Sequence, residues 1–94
     1  MNHYETIYII DSELGEEARA ALVERFKNMI ESAGQLEKID EWGDRKLAYP
    51  VNDKTDGYYV LADYSAPADF PAEFERVLKI TDGILKYLII RKEE

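Results

Sequence analysis

The 94-residue sequence contains no cysteine and a single histidine, His3. The absence of cysteine excludes thiol nucleophiles, thiolate metal sites and a disulfide framework, and it agrees with a reducing compartment. Because the one histidine lies near the start of the chain, a nucleophile–base pair or a histidine metal site lacks its central residue. We therefore expect no enzymatic activity, no cofactor and no metal site.

Long apolar runs are also absent. The run near the N-terminus covers only residues 7–10 and ends at Asp11, which is too short for a signal peptide or a membrane span. This pattern predicts a cytoplasmic protein with no membrane partner.

Positive charge is scarce, because 12 lysines and arginines stand against 20 acids and give a net charge of -8. A chain with this charge repels phosphate, so we do not expect nonspecific binding of nucleic acid through an overall positive field. Any RNA contact has to be local, or has to be shared with a basic partner.

Neither the acidic pairs nor the loop after the first strand predicts a catalytic or phosphate-binding site. Glu16-Glu17 lies at a predicted helix start, where the helix dipole explains it, and Glu93-Glu94 is interpreted as a solvated tail. The loop of residues 11–16 contains one glycine and no cation, so it does not cradle phosphate as a glycine-rich loop does. The sequence predicts neither an acid–base site nor a small-molecule substrate.

The first half of the chain predicts a strand, a long helix and a second strand. Residues 4–10 are rich in aromatic and β-branched side chains, which is typical of a strand. From Glu16 the apolar residues recur every three or four positions, which indicates an amphipathic helix that ends before Gly34. In residues 35–40 apolar and polar side chains alternate less regularly, and we predict the second strand there. The expected apolar stripe of the helix is Leu14, Ala18, Leu22, Phe26, Met29, Ile30 and Ala33.

The second half predicts a third strand, a second helix and a fourth strand. Residues 57–64 form the third strand, after a turn signalled by residues 54–57. Residues 67–79 form the second helix, which has prolines only at its approach or first turn. Asp82-Gly83 then turns the chain into an apolar strand that runs from residue 84 to about residue 91.

This order, βαββαβ, predicts a single α+β domain spanning residues 1–94. Two right-handed βαβ crossovers place both helices on one face of a four-stranded antiparallel sheet, the ferredoxin-like arrangement, and leave the opposite, open face uncovered. Because soluble monomers rarely leave an apolar patch bare, we expect a docking surface there, unless strand ends, a flap of residues 41–51 or self-association hides it. Period-two alternation assigns to this patch Ile7, Ile9, Tyr59, Leu61, Leu88 and Ile90.

Base stacking on the open face is an alternative use of the third strand. Residues 57–60, GYYV, partly resemble the aromatic strand of an RNA-recognition motif, whose rings stack on unpaired bases. The match is incomplete, because Asp56 replaces the expected basic residue and the first strand offers Ile7 and Ile9 instead of a second ring. Tyrosines in such places are more often packing residues.

Residues 41–51, EWGDRKLAYPV, fit no helix and continue the course of the second strand. Gly43 permits a bulge, Arg45 and Lys46 stand side by side on a projecting edge, and Pro50 cannot pair in a central ladder. Packing explains the apolar and aromatic residues of the segment, so we expect only the two cations to reach a partner.

The same segment is similar to the signature W-G-x-R-x-L-A-Y-P-I of the S-six family of bacterial small-subunit ribosomal proteins. Tyr4-Glu5 near the start, the GYY strand, Ala66-Pro67 before the second helix and the apolar last strand follow the order of that family as well. The resemblance covers essentially the whole chain. Two residues depart from it: Asn2 stands where many relatives have arginine, and Asp44 where a basic or apolar residue is common.

The resemblance implies a structural constituent of the small ribosomal subunit that binds the central domain of 16S ribosomal RNA as a heterodimer with the eighteenth small-subunit protein. A small basic partner supplies the positive charge that this chain lacks and covers exposed apolar surface. The resemblance also implies that cations along one edge of the domain approach the RNA, mainly at phosphates. The matched residues are Tyr4, Arg45, Lys46, Lys79, Lys86 and Arg91.

One rival hypothesis belongs to another class. A ferredoxin-like regulatory module would homodimerise through its open face and bind a small ligand. Purified alone, that module forms a stable dimer, whereas a ribosomal protein is expected to be a monomer or weak self-associate that pairs with its basic partner.

Overall fold

The computed structural model describes residues 1–51 and 53–92. The predicted order βαββαβ and the ferredoxin-like fold are confirmed. The predicted acidic tail, Glu93-Glu94, lies outside the described residues. In chain order the elements are β1 (Asn2–Ile10), a 3₁₀ helix (Ser12–Leu14), α1 (Glu16–Ala33), β2 (Gln35–Val51), β3 (Lys54–Ala66), α2 (Phe70–Ile80) and β4 (Ile84–Lys92).

The strands form one sheet in the order β2-β3-β1-β4, and every neighbouring pair is antiparallel. β1 and β3 are central and β2 and β4 are the edges. The register sets the faces: Tyr8 pairs with Val60 and with Tyr87 on the side of the helices, while Ile7 pairs with Leu61 and Leu88 on the open face.

The core lies between the sheet and the two helices and is largely aromatic. The ring of Tyr8 meets Phe26 of α1 edge-on at 5.1 Å, and Phe26 in turn meets Phe74 of α2 at 5.8 Å. Tyr64 of β3 packs edge-on against Phe70 at 5.6 Å. Each such ring contributes about 1.5–3 kcal/mol by leaving water, so the rings fix both helices to one side of the sheet.

Two buried tyrosine hydroxyls in this core differ in their partners. Tyr64 Oη and Thr6 Oγ1 lie 2.8 Å apart in a buried hydrogen bond. The hydroxyl of Tyr8 is buried without a hydrogen-bond partner among the described residues. Burial raises the pKa of Tyr64 to about 12 and raises the pKa of Tyr8 as well. Both groups are therefore neutral at ordinary pH.

Several sequence-based boundaries are corrected. Leu14 lies in the 3₁₀ helix and is exposed, and Ala18 is exposed at the start of α1, so neither belongs to the buried stripe. Residues 54–57 form no turn but the first part of β3. Gly57 is instead required by a close approach, because a Cβ there would lie 2.3 Å from Ile9 Cγ2. The turn at Gly83, with φ of 94°, is confirmed.

Candidate interaction surfaces

The end of the β2–β3 hairpin departs from a regular ladder. Lys46 pairs with Asp56, but the next paired residues are Val51 and Lys54, so residues 47–50 bulge out opposite Thr55 alone. Pro50 is tolerated because it lies in this bulge and because β2 is an edge strand. We call residues 47–50 the strap.

The strap lies over one end of the open face. Together with β1, β3 and β4 it encloses an apolar cavity of about 210 Å³, whose lining includes Leu47, Tyr49, Ile9 and Leu88. Lys86 of β4 donates a hydrogen bond to the Tyr49 hydroxyl, and its Nζ lies 4.6 Å from the centre of the Tyr49 ring. The strap therefore reaches across the sheet as far as the opposite edge strand.

Only part of the predicted apolar patch is exposed to solvent, and the strap covers one end of it. Ile9 and Leu61 are only 6% and 8% exposed, so the prediction that they belong to an exposed patch is wrong. Ile9 is covered because it lines the cavity beneath the strap. Leu61 is covered because it lies on a central strand between Ile7 and Asp40. Leu88 and Ile90 are 54% and 40% exposed and form the uncovered part. The remaining two members, Ile7 and Tyr59, are half-buried.

The strap-free end of the open face is acidic. Four carboxylates lie there, on Glu5, Glu37, Asp40 and Asp63, and they outnumber the two lysines of this end, Lys38, which pairs with Asp63 across the strands, and Lys92. Glu37 contacts His3 Nε2 at 3.0 Å and accepts a hydrogen bond from Ser65. Lys92 Nζ lies 2.7 Å from Asp63 Oδ1. That hydrogen bond raises the pKa of Lys92, and the charges of Asp63, Glu5 and Glu37 act in the same direction.

Arg45 is held on the open face by a stack of rings. The guanidinium carbon of Arg45 lies 5.2 Å from the centre of the Trp42 ring, and Trp42 is stacked on Tyr59 at 6.2 Å with 14° between the planes. Trp42 Nε1 donates to Asp40 Oδ2 at 3.3 Å, which fixes the indole from the other side. Because neighbouring residues of a strand alternate, Lys46 points to the opposite face of the hairpin.

The other residues of the predicted RNA set are dispersed. Tyr4 is buried in the core against Tyr64, at 5.8 Å between ring centres. Lys79 lies in the last turn of α2 and pairs with Glu75 at 3.3 Å. Arg91 donates to Asn2 at 3.2 Å. Because β2 and β4 are opposite edges of the sheet, the matched cations do not lie along one strand.

Sequence reasoning missed the ring stack and a second contact on the helix side of the hairpin. Tyr58 donates a hydrogen bond of 2.8 Å to Glu41, and the guanidinium carbon of Arg19 lies 4.1 Å from the centre of the Tyr58 ring. The sequence shows aromatic residues at Trp42 and in residues 57–60, but it does not show which of their rings are in contact. That contact depends on the bulge in β2 opposite Tyr59, where the pairing register shifts. Tyr59, the candidate for base stacking, already has one face occupied by Trp42.

The described part of the chain contains neither a helix able to span a membrane nor a candidate metal cluster. Neither α1 nor α2 combines the length and apolarity needed to cross a bilayer. Residues 1–51 and 53–92 contain no cluster of three or more histidine or acidic side chains placed to hold a metal ion.

Comparison with known proteins gives concordant matches. The family model described as ribosomal protein S6 matches residues 3–91. The small ribosomal subunit protein bS6 of Caldanaerobacter subterraneus subsp. tengcongensis is 52% identical over 95 residues and that of Thermoanaerobacter pseudethanolicus 53%, and each match covers 100% of both chains. The crystal structure of the 30S ribosomal protein S6 from Thermotoga maritima has a TM-score of 0.92 at 30% identity, covering 97% of this chain and 87% of that one.

The matches extend over the strap, the open face and both helices, and the fold and the sequence agree on one family. The chain therefore belongs to the ribosomal protein S6 family, whose members are structural, non-enzymatic proteins of the small ribosomal subunit in the cytoplasm.

Proposed function

We propose that this small-subunit protein binds the central domain of 16S ribosomal RNA jointly with a small basic protein, the eighteenth protein of the subunit. Family membership gives the ribosomal role, and the RNA and the heterodimer partner are the proposal. The observation that carries it is the open face, where exposed Leu88 and Ile90 adjoin an end rich in carboxylates. An apolar strip beside an acidic end is complementary to a basic protein.

The partner surface is proposed to be the strap-free part of the open face. The predicted set of Ile7, Ile9, Tyr59, Leu61, Leu88 and Ile90 contributes through its exposed members, while Ile9 and Leu61 support them from below. A basic partner bound there would neutralise part of the net charge of -8. The heterodimer would then approach phosphates that repel the isolated chain.

Charge reversal tests the partner surface. Glu5→Lys is expected to weaken binding of the eighteenth small-subunit protein by about tenfold, because a like charge then faces a basic partner. Glu24→Lys on α1, an exposed residue of the opposite layer, makes the same change in net charge and serves as the matched control. Calorimetric titration measures both. Equal effects of the two substitutions would show that overall charge, and not the open face, governs binding.

Arg45 and Lys46 are proposed to lead the RNA contact. The stack of Trp42 on Tyr59 restricts Arg45 before binding, so less side-chain entropy is lost when the guanidinium meets a phosphate. Lys46 is exposed on the other face of the hairpin, which allows the hairpin to contact phosphates on two sides. Such contacts position the protein and do not read sequence.

The salt dependence of RNA binding tests this role. Replacing Arg45 and Lys46 by alanine is expected to lower the slope of log affinity against log salt by about 1.4 for single-stranded RNA, since each phosphate contact contributes about 0.7. The control is Arg25→Ala with Lys27→Ala on α1, which removes the same charge elsewhere. An unchanged slope in the hairpin variant with an intact far-ultraviolet spectrum would refute the assignment.

The other four residues of the predicted RNA set rest on the family resemblance. Lys79 is exposed at the end of α2 and is available to a phosphate despite its pair with Glu75. Tyr4 is buried, so its proposed part is to hold Asn2, whose side-chain amide donates to the Tyr4 hydroxyl at 3.1 Å. Lys86 and Arg91 lie on β4 and are bound by neighbouring side chains.

A further inference from the structure

The cavity beneath the strap has the size and the walls of a small-ligand site. Its volume is about 210 Å³, whereas an apolar cavity of about 150 Å³ already holds benzene. Ile9 and Tyr59 of the sheet line one side, and Leu47 and Ala48 of the strap line another. A ligand with a single ring and a short chain therefore fits, and its burial between the sheet and the strap removes apolar surface from water.

The strap end of the open face carries positive charge. Among the described residues that line the cavity only Lys86 is charged, and Arg45 lies on the same face, opposite Gly57. The four carboxylates of the open face lie at its other end. An apolar cavity with a cation beside it is complementary to an apolar molecule that carries one negative charge.

Lys86 has hydrogen-bonding capacity left for such a molecule. Its ammonium group has three N–H donors, and the Tyr49 hydroxyl accepts one of them. Within residues 1–51 and 53–92, Lys86 forms no ion pair with a carboxylate. A ligand carboxylate beside the cavity would form a charge-assisted hydrogen bond with Lys86, which is stronger than a neutral one.

The strap can admit a ligand while the sheet stays intact. Residues 47–50 take no part in the ladder between β2 and β3, so they can move without loss of the strand pairs on either side. The contact of Tyr49 with Lys86 closes the strap onto β4. Because Tyr49 is 55% exposed, little apolar burial opposes its opening.

We propose that the cavity beneath the strap binds a small monocarboxylate with an apolar body. The apolar body would lie between Ile9, Tyr59 and Leu47, and the carboxylate would accept a hydrogen bond from Lys86. The ligand would lie under the strap, whereas the basic protein is proposed to bind the strap-free part of the open face. The site therefore depends on neither the RNA nor the heterodimer.

Charge and shape favour this occupant over two others. An apolar side chain of a basic protein would fill the cavity, but it would bring further cations close to Lys86 and Arg45. A phosphate of RNA would pair with Lys86, but it would leave the apolar walls without a contact. A small apolar carboxylate satisfies both the walls and the cation.

Three probes separate the ring from the charge on the isolated full chain. They are phenylpropanoate, the neutral phenylpropanol, and acetate, which has the carboxylate without the ring. Titrations followed by NMR give the affinities. Nuclear Overhauser effects from the ring of the probe to the methyl groups of Ile9 and Leu47 give the site, and Leu78 in the core on the helix side is the negative control.

Two lysine variants test the cation. Lys86→Met removes the charge beside the cavity and keeps a side chain of nearly the same length. Lys38→Met makes the same change in net charge at an exposed position in the acidic end of the open face, and it serves as the matched control.

Phenylpropanoate is expected to bind the wild-type chain and Lys38→Met equally, and to bind Lys86→Met about fivefold more weakly, through the loss of one partly exposed charge pair. Phenylpropanol should bind all three chains alike, about fivefold more weakly than phenylpropanoate binds the wild-type chain. Both probes that carry a ring should give Overhauser effects at Ile9 and Leu47 and none at Leu78.

Four results would overturn the proposal. Acetate that binds as tightly as phenylpropanoate would show a purely electrostatic site, which an RNA phosphate would share. Equal losses in the two lysine variants would show that overall charge governs binding. Ring probes that give no Overhauser effect at Ile9 and Leu47 would place the ligand elsewhere, and dimerisation of the free chain through the strap would show that a second copy occupies the cavity.

Discussion

The two buried tyrosine hydroxyls give a prediction in which chemically identical substitutions have opposite effects. Tyr64→Phe breaks the 2.8 Å hydrogen bond to Thr6 and leaves the Thr6 hydroxyl buried without its partner. Such a loss costs about 1–3 kcal/mol. Tyr8→Phe removes a hydroxyl that has no partner within the described residues and keeps the ring against Phe26. Tyr8→Phe is expected to leave the free energy of unfolding unchanged or to raise it by up to about 1 kcal/mol.

Equilibrium unfolding in urea measures the difference directly, provided that the dependence on denaturant is unchanged. A control variant replaces Thr6 by valine in the Tyr64→Phe background, which removes both hydroxyls at nearly constant shape and should restore most of the lost stability. If Tyr8→Phe destabilised the protein as much as Tyr64→Phe, the Tyr8 hydroxyl would have a hydrogen-bond partner in solution, contrary to the structure.

Three further outcomes follow from the same structure. Burial raises the pKa of Tyr64 from 10.0 to about 12, so the unfolded chain loses the Tyr64 proton between pH 10 and pH 12 while the folded chain keeps it. Tyr64 by itself should lower the free energy of unfolding there by about 1.4 kcal/mol per pH unit. Because burial raises the pKa of Tyr8 as well, the wild-type fall should be steeper, and Tyr64→Phe should remove only the part due to Tyr64 in urea titrations. Gly57→Ala should cost about 1–3 kcal/mol, because its Cβ would lie 2.3 Å from Ile9 Cγ2; no loss would show that Ile9 moves freely. Tyr49→Ala should speed amide exchange in the strap while the core stays protected, because the contact with Lys86 is lost; unchanged exchange would mean that Lys86 does not hold the strap.

Periodicity was sufficient to predict the elements and most of the buried face. Alternation in β1 and β3 assigned Ile7 and Tyr59 to the open face, and their neighbours Tyr8 and Val60 do face the helices. The three-and-four spacing of α1 assigned Phe26 to the apolar stripe, and Phe26 does pack on Tyr8. These features depend on local geometry, which repeats along a strand or a helix. The same regularity explains why the βαββαβ order could be predicted without a structure.

The strap could not be predicted in this way, because a bulge breaks the period on which the assignment of faces depends. Pro50 signalled an interruption, and a flap of residues 41–51 was one stated alternative, but the sequence does not say how far a bulge reaches. Gly57 was misread for a related reason. Its missing side chain makes room for Ile9 and Leu47 rather than for a turn, and such a long-range contact leaves no local pattern.

The positions of the cations in the folded protein could not be predicted from the sequence either. Arg45 and Lys86 are far apart in the chain and lie on opposite edge strands. Their roles depend on rings that the fold brings to them, Trp42 for Arg45 and Tyr49 for Lys86. Sequence similarity identified the family, which favours a structural ribosomal role over the rival regulatory module. The contacts of each cation required the structure.

We propose that this acidic chain binds ribosomal RNA stably only together with a basic partner. The most direct measurement is the affinity of the purified chain for an RNA of the 16S central domain, with and without the eighteenth small-subunit protein, at fixed magnesium and salt. We expect weak binding by the chain alone and a stable ternary complex when the partner is present. The proposal would be contradicted if the chain bound the RNA equally well with and without the partner, or if it formed a stable homodimer that bound neither the RNA nor the partner.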